Sequence, residues 1–329
     1  MRLVRAYLSG LPIALSWQVT YACNFRCRGC SYWQDEVNFS AEARAREASL
    51  DDIRQAANKL GELGSLIVSI GGGEPFLRRD LAEIVGAIAQ QHIPLLTTNG
   101  WLIDEQRARE VWDAGLWGIS VSLDFSDEHA HDEHRGKPGA AQRARRALQI
   151  LSRTRTRPHQ RVNVMCVLND RNLGQLEGLV RFAAGNDSYF MMQPYTAIKN
   201  GNRRLLPAYK ATPHLLALKK RYRNFLSNPY YLGAFDRFYE QGGIQDCKAG
   251  RAFFNVDNFL NVQKCVEFRA EHVGNLRDLS AREIVRRLRS ESRRNQCRAC
   301  WYNCRGEVEV LYSVKGLLAA LPTLVRGGA

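Results

Sequence analysis

The chain has 329 residues, of which 45% are hydrophobic, so it can bury a large core and form one large domain with room for a smaller appendage. Its formal net charge of +14 comes mostly from arginines scattered along the sequence, which indicates a solvated basic face and gives little reason to expect nucleic acid as a partner. Eight of the nine cysteines stand in two groups with metal-ligand spacing, which argues against a disulfide-linked secreted domain and favours a reducing, cytoplasmic compartment.

Short β-rich runs alternate with amphipathic helical segments over the first two thirds of the chain. The helix predicted over residues 51–63 is opened by Ser49 and Asp52, which have capping-box spacing. Such alternation predicts an α/β fold, a parallel sheet curved into a partial (β/α)6 TIM-like barrel with its function at the carboxyl ends of the strands. The predicted strands are residues 14–20, 65–70, 93–98, 117–123, 161–168 and 188–193.

The alternation stops after about Tyr195. A basic linker with Lys199, Arg203 and Arg204 follows, and these residues form a loop cluster that could meet an anionic group. A helix is predicted over residues 215–226, and we expect the domain boundary near residue 235. The sequence thus divides into a core, 1–234, and a small Cys-rich C-terminal domain, 235–329.

Leucines and valines recur at helical spacing over residues 308–324, which predicts a terminal amphipathic helix. Such a helix either docks on its own domain or lies on a membrane surface, and the second alternative would make the protein membrane-associated. No run of eighteen apolar residues occurs, so no spanning helix is expected.

Cys23, Cys27 and Cys30 form a C-x3-C-x2-C triplet directly after the first predicted strand. Three thiolates can hold three irons of a [4Fe-4S] cluster and leave the fourth iron open for chemistry. Zinc sites more often show two separated pairs of ligands. The run 71–75, Gly-Gly-Gly-Glu-Pro, follows the second strand, and its glycines allow close approach of a ligand with an α-amine, which Glu74 could bind.

The triplet, the G-G-E-P run and the later S-L-D segment with H-D-x-x-R-G occur in the order found in radical S-adenosylmethionine (SAM) enzymes, and the chain resembles that superfamily over residues 16–172. The resemblance implies that the open iron binds the amine and carboxylate of SAM. It also implies which residues contact the cofactor. The glycine run contacts the methionine amine, Ser122 and Arg135 contact the carboxylate and ribose, and the other candidates named next make further contacts. The candidate cofactor-binding residues are Gly72, Gly73, Glu74, Pro75, Asn99, Ser122, Asp124, Arg135 and Asn169.

The sequence departs from the pattern of the superfamily at Gly29, where an aromatic residue commonly precedes the third cysteine. We expect the loss to weaken packing against adenine more than the chemistry. Tyr32 or Trp33 are the candidates to compensate for it.

Five further cysteines lie in the C-terminal region, which more loosely resembles the SPASM and twitch extensions of the superfamily; twitch-like is the better description because the full seven-cysteine SPASM set is absent. Five thiols predict one auxiliary [4Fe-4S] cluster held by four of them. A structural zinc site remains the alternative. The five are Cys247, Cys265, Cys297, Cys300 and Cys304.

Cys166, on the fifth predicted strand, is the ninth cysteine. A lone cysteine in a strand is usually a packing residue, and the second interpretation is that it donates a hydrogen atom to a substrate radical.

The resemblance implies a reaction: reductive cleavage of SAM to a 5′-deoxyadenosyl radical that abstracts a substrate hydrogen, as in an oxidoreductase or maturase. The electron would come from an external donor such as flavodoxin or ferredoxin. The substrate is a peptide or a small molecule (a sugar, a lipid-like or a phosphate-bearing compound), and the short segment before Cys23 favours a small molecule or a peptide delivered by a partner. Two other classes stay open: an iron-sulfur sensor or electron carrier without turnover, and a zinc-stabilised nucleic-acid-binding protein.

Overall fold

A computed structural model describes residues 7–34, 40–313 and 318. Its centre is a nine-stranded sheet with the strand order β6-β5-β4-β3-β2-β1-β7-β8-β9. The strands are β1 Ala14–Thr20, β2 Ile67–Gly72, β3 Ile93–Thr98, β4 Gly118–Ser122, β5 Arg161–Leu168, β6 Tyr189–Pro194, β7 Phe253–Val256, β8 Asn261–Gln263 and β9 His272–Asn275.

The first six strands are parallel and follow one another in the sheet in chain order. This confirms the predicted α/β fold with its partial barrel. All six carboxyl ends therefore point to one edge of the sheet, where the loops of a βα-repeat carry function.

The prediction missed the three strands that the Cys-rich C-terminal region adds. β7 pairs in parallel with β1, with Ala14 opposite Phe253, and β8 and β9 continue the sheet in antiparallel pairs. These strands are only three or four residues long, too short for their alternation to be recognised in the sequence. Because β7 continues the same sheet, the boundary near residue 235 stays a prediction.

Helices connect the parallel strands and pack with them into one hydrophobic core. The capping box predicted at Ser49 and Asp52 is present at the start of α2, and burial of Ile53, Ala57 and Leu60 defines the core-facing side of that helix. The helices are α1 Ala41–Ala45, α2 Leu50–Gly61, α3 Leu81–Ala89, α4 Glu105–Asp113, α5 Glu128–Arg135, α6 Ala140–Thr154, α7 Leu176–Gly185, α8 Thr212–Arg221, α9 Pro229–Leu232, α10 Phe235–Glu240 and α11 Ala281–Arg293.

The helix expected over residues 215–226 is shifted. α8 begins at Thr212 and ends at Arg221, and the chain then runs along the edge strand β6, where the Phe190 N–H donates to the Asn224 carbonyl and the Leu226 N–H to the Phe190 carbonyl (both 2.8 Å). The rings of Phe190 and Phe225 meet edge to face at 4.9 Å. The segment thus covers backbone groups that an edge strand would leave unpaired.

The C-terminal helix predicted over residues 308–324 lies largely outside the described residues. Its described part is a 3-10 turn, Glu309–Tyr312, in which Val310 is buried and the Tyr312 hydroxyl donates to the Leu11 carbonyl (2.9 Å). Within the described ranges, no helix is long and apolar enough to span a membrane.

Candidate active site

The cysteine triplet lies at the carboxyl edge of the sheet. Cys23, Cys27 and Cys30 follow β1 and line a common cavity of about 230 Å³, here called the first cavity. Burial raises the pKa of the Cys23 thiol to about 12. Burial also raises the pKa of Cys27, because its effect is larger than that of the Arg135 charge, which lowers it. Thiols with a raised pKa become thiolates when a metal supplies the positive charge, so Cys23 and Cys27, with Cys30 in the same cavity, fit a cluster.

The glycine run fastens the end of β2 to the chain that leads into the triplet. The Gly73 N–H donates to the Thr20 carbonyl and the Glu74 N–H to the Ala22 carbonyl, both at 2.8 Å. Gly72 has a φ of +130°, and a β-carbon there would lie 2.0 Å from the Thr20 oxygen. Glycine is therefore required by contact with the chain's own backbone, in addition to any approach of a ligand.

Glu74 does not line the first cavity. Its buried carboxylate accepts hydrogen bonds from the Phe76 N–H (3.0 Å), the Thr98 hydroxyl (2.8 Å) and the Asn99 N–H (2.8 Å), while burial raises its pKa. Pro75 is also buried and begins a 3-10 turn. Glu74 thus joins the loops after β2 and β3, and its position does not match the expected contact with a ligand amine.

Asn99, Ser122, Asp124 and Arg135 line the first cavity with Gly72 and Gly73, so the structure brings these six candidates together. The Asn99 side chain also donates to Asn24 Oδ1 at 2.8 Å, within the triplet loop.

Arg135 lies between the Asp124 carboxylate and the Cys27 thiol. Its Nη2 is 2.6 Å from Asp124 Oδ2, and Asp124 is fully buried. Burial opposes the charges of both groups, but Arg135 nevertheless holds the pKa of Asp124 below its usual value, and Asp124 and Cys27 raise the pKa of Arg135. The Arg135 charge is therefore already engaged by the protein, although the resemblance assigned it to the cofactor.

Two candidate residues on β5 and just after it lie outside the first cavity. Met165 and Val167 line the cavity, whereas the alternation of the strand turns Cys166 into the hydrophobic core, 3.7 Å from the Asp124 carbonyl. Asn169 is fully buried, and its N–H donates to Asn172 Oδ1 at 2.9 Å. Cys166 thus touches the backbone of one other candidate, Asp124, but neither Cys166 nor Asn169 lines the first cavity.

Tyr195 occupies the space beside Gly29. A β-carbon on Gly29 would be 3.1 Å from the Tyr195 ring, and Tyr195 lines the first cavity. Tyr32 lines it too, while the Trp33 indole donates to the Cys27 carbonyl at 2.9 Å. Sequence reasoning did not single out Tyr195, although it follows β6 at the carboxyl edge where the other site residues were sought.

The five C-terminal cysteines line a second, narrower cavity: Cys247, Cys265, Cys297, Cys300 and Cys304. Burial raises the pKa of Cys265 to about 12 and raises those of Cys300 and Cys304 well above the usual value. In residues 7–34, 40–313 and 318, no three His, Cys, Asp or Glu side chains are grouped closely enough to hold a single metal ion. A cluster places each thiolate on a separate iron and so accepts a wider spacing.

Arg305 is a fully buried residue beside these cysteines that the sequence analysis missed. Its guanidinium donates to the Cys300 carbonyl (2.8 Å) and the Ile244 carbonyl (2.7 Å) and pairs with Glu309 at 3.0 Å. A buried, fully paired arginine fixes the loop that carries the last three cysteines.

The two cavities share a thin wall. Ile198 lines the second cavity and Lys199, its neighbour in the chain, lines the first. Tyr302 lines the first cavity and stands between Cys300 and Cys304, which line the second.

Comparison with known proteins identifies the family. The Radical SAM superfamily model matches residues 17–183. Mycofactocin maturase MftC of Mycolicibacterium smegmatis is 31% identical over 56% of this chain and 45% of its own length, and the AdoMet-dependent heme synthase of Oleidesulfovibrio alaskensis is 30% identical over 46% of this chain and 38% of its own. The chain thus spans less than half the length of either relative.

Two solved structures share the fold at low identity. Streptococcus suis SuiB bound to the precursor peptide SuiA has a TM-score of 0.62 and 16% identity over 84% of this chain and 65% of its own. The structure of anSMEcpe with bound AdoMet and Cp18Cys peptide has a TM-score of 0.62 and 16% identity over 96% of this chain and 98% of its own. The family model covers half of the chain, and the chain therefore belongs to the radical SAM superfamily.

Proposed function

We propose that the chain holds a [4Fe-4S] cluster on Cys23, Cys27 and Cys30, binds SAM beside it, and abstracts a hydrogen atom from a substrate in the first cavity. The observation that carries the proposal is the meeting of the three thiols with the backbone of Gly72 and Gly73 at the carboxyl edge of one parallel sheet. When bound, the cluster and SAM supply an electron and a 5′-deoxyadenosyl radical, and the residues around them supply binding and orientation.

Polar groups at the carboxyl ends of several strands support SAM binding. Asn99 follows β3, Ser122 ends β4, and both face the cavity. Glu74 acts as a positioning residue, because its three hydrogen bonds fix the loops on which Asn99 and the glycines stand. Asp124 holds Arg135 against Cys27 and so places a positive charge beside the triplet.

The remaining lining supports a reaction that needs protection from water. Met165, Val167, Pro194 and Tyr195 present apolar or aromatic surface to the cavity. A cavity of this character limits side reactions of a radical with solvent.

An auxiliary [4Fe-4S] cluster on four of the five C-terminal cysteines is the second part of the proposal. All five cysteines line the second cavity. The wall between the two cavities contains Lys199 and Tyr302 and is little more than one residue thick. A cluster there would lie close enough to accept an electron from the product radical or to shape the substrate site. A single zinc ion on these thiols is the alternative.

A peptide is the substrate that the relatives favour. MftC is a maturase, SuiB was crystallised with a precursor peptide, and anSMEcpe with a peptide. The heme synthase relative favours the second candidate, a small molecule. In either case an external one-electron donor such as flavodoxin or ferredoxin would act as a partner.

The test is anaerobic reconstitution with iron and sulfide, followed by dithionite and SAM, with 5′-deoxyadenosine as the readout. We expect the wild type to form it and Cys27→Ala to lose it. The matched control is Cys166→Ala, a cysteine of the core that faces neither cavity, which we expect to retain product formation. No product from a wild type with an intact cluster would contradict the proposal and favour a sensor or carrier.

A further inference from the structure

Lys199 brings an ammonium group into the first cavity. It ends the 3-10 turn Ala197–Lys199 after β6, and its Nζ lies 5.0 Å from the centre of the Tyr32 ring. A cation over an aromatic face is attracted by the ring, so the side chain is held in place and not extended into solvent.

Within the part of the chain that the structure describes, no ion pair matches the charge of Lys199. Lys199 and Arg135 both line the cavity, and Arg135 pairs with Asp124 at 2.6 Å. Among the residues that the structure describes, no carboxylate lies within 4.0 Å of the Lys199 ammonium.

A nearby carboxylate favours the charged form of Lys199 without binding it directly. Burial and the Arg269 charge disfavour the ammonium, whereas the carboxylate of Glu267 raises the pKa of Lys199. Glu267 lines the second cavity, so its carboxylate belongs to the other side of the shared wall. A charged donor is therefore available to a ligand in the first cavity.

We propose that Lys199 binds a carboxylate group of the substrate, so that the enzyme acts on acids. This rests on the proposed function, because it places the substrate in the cavity that holds the cysteine triplet. Lysine presents a single point charge, and the Glu267 carboxylate nearby disfavours a second negative charge on the ligand, so a monoanion fits better than a phosphate dianion.

The position of Lys199 gives the carboxylate a role in orientation. The ammonium lies over the Tyr32 ring, on the residue that follows Ile198 of the second cavity, while the triplet lies after the end of β1. An acid anchored there would have its apolar part directed along the lining formed by Met165 and Val167. One fixed end is what brings a particular C–H group to a reactive centre.

The test measures binding of probe acids to the reconstituted wild-type holoenzyme with SAM and without reductant, by anaerobic calorimetry. The probes are 3-phenylpropionate and its amide, acetyl-Gly-Gly-Phe as free acid and as C-terminal amide, and inorganic phosphate. We expect each acid to bind at least tenfold more tightly than its amide. Lys199→Met should remove this difference and Lys199→Arg should keep it.

Lys137→Met is the matched control, because Lys137 also lies over an aromatic ring, Trp101 at 4.7 Å, but does not line the cavity. It should keep the preference for acids. If acetyl-Gly-Gly-Phe binds more tightly than 3-phenylpropionate, the carboxylate comes from a peptide C-terminus. If the two acids bind equally, it comes from a small acid. Both outcomes support the proposal.

Three outcomes would overturn it. The first is a wild type that binds the acids less than tenfold more tightly than their amides. The others are an unchanged preference for acids in Lys199→Met, and phosphate bound more tightly than 3-phenylpropionate. Formation of 5′-deoxyadenosine by the same wild-type preparation is measured separately. If it forms while the acids show no preference, this inference fails alone. If it does not form, the proposed function fails whatever the acids do.

Discussion

Gly73 packs directly on the carbonyl of Ala22, and a β-carbon built on Gly73 would lie 2.0 Å from that oxygen. The contact sets the distance between the end of β2 and the loop that carries the cysteine triplet. Close approach of two backbones explains why this position has no side chain.

Gly73→Ala should therefore damage both the fold and the site. The new methyl group must displace backbone, so we expect a loss of about 3 kcal/mol in the free energy of unfolding and a reduced iron content after reconstitution. The control is Gly174→Ala, where no atom lies within 4 Å of the added methyl group. Urea unfolding and iron analysis check both variants, and equal behaviour would contradict the role given to the contact.

Asp124→Asn should be strongly destabilising. The substitution leaves the Arg135 guanidinium buried without its carboxylate, which costs about 3 kcal/mol or more. Asp51→Asn, at an exposed carboxylate that pairs with Arg54, should change the free energy by less than about 1 kcal/mol. The comparison of urea midpoints tests whether the buried pair holds the site together; similar midpoints would show that it does not.

His131 should make the protein less stable in acid. Its Nδ1 accepts a hydrogen bond from the Asp124 N–H at 3.1 Å, and burial, assisted by the Arg135 charge, lowers its pKa from 6.5 to about 3. Because the folded state resists protonation, the stabilising contribution is complete above pH 6.5 and is lost as the pH falls from there toward 3.

The matching variant is His131→Asn, which keeps an acceptor and cannot titrate in this range. Between pH 7 and pH 5, wild type should lose about 2 kcal/mol more than the variant. His134, whose pKa burial also lowers, titrates in both proteins and cancels in the comparison. Parallel pH dependence in urea titrations would show that His131 is not the group responsible.

The proposed auxiliary cluster predicts a specific iron count. Cys265→Ala should reduce the iron bound after reconstitution to about half, since one of two [4Fe-4S] clusters loses a ligand. If four of the five cysteines bind the cluster, the fifth does not, and its substitution by alanine should leave the iron count unchanged. That cysteine is one of Cys247, Cys297, Cys300 and Cys304. Metal analysis that finds zinc in place of the lost iron would contradict a cluster in the second cavity.

Much of the fold could be predicted from the sequence because its signals are local. β1, β3 and β5 have the predicted bounds, and the capping box at Ser49 is present. The joining of β7 to β1 brings residues 14 and 253 together, and no local pattern specifies such a distant pairing.

The candidate site shows the same limit. The triplet and the glycine run were recognised from spacing, but the positions of individual side chains depend on neighbours far apart in sequence. Glu74 is bound by Thr98 and Asn99, and Arg135 is engaged by Asp124 and Cys27. Tyr195 and Lys199 enter the cavity because the chain after β6 turns back over the triplet, which composition does not reveal.

The most direct test of the account is electron paramagnetic resonance of the reduced Cys265→Ala protein, in which the cluster on the triplet gives the signal, before and after addition of SAM. If SAM binds the open iron of that cluster, the signal should change on addition of SAM, and Cys27→Ala should abolish this change. A signal from the triplet cluster that is identical with and without SAM would contradict the central claim that the first cavity holds the cofactor.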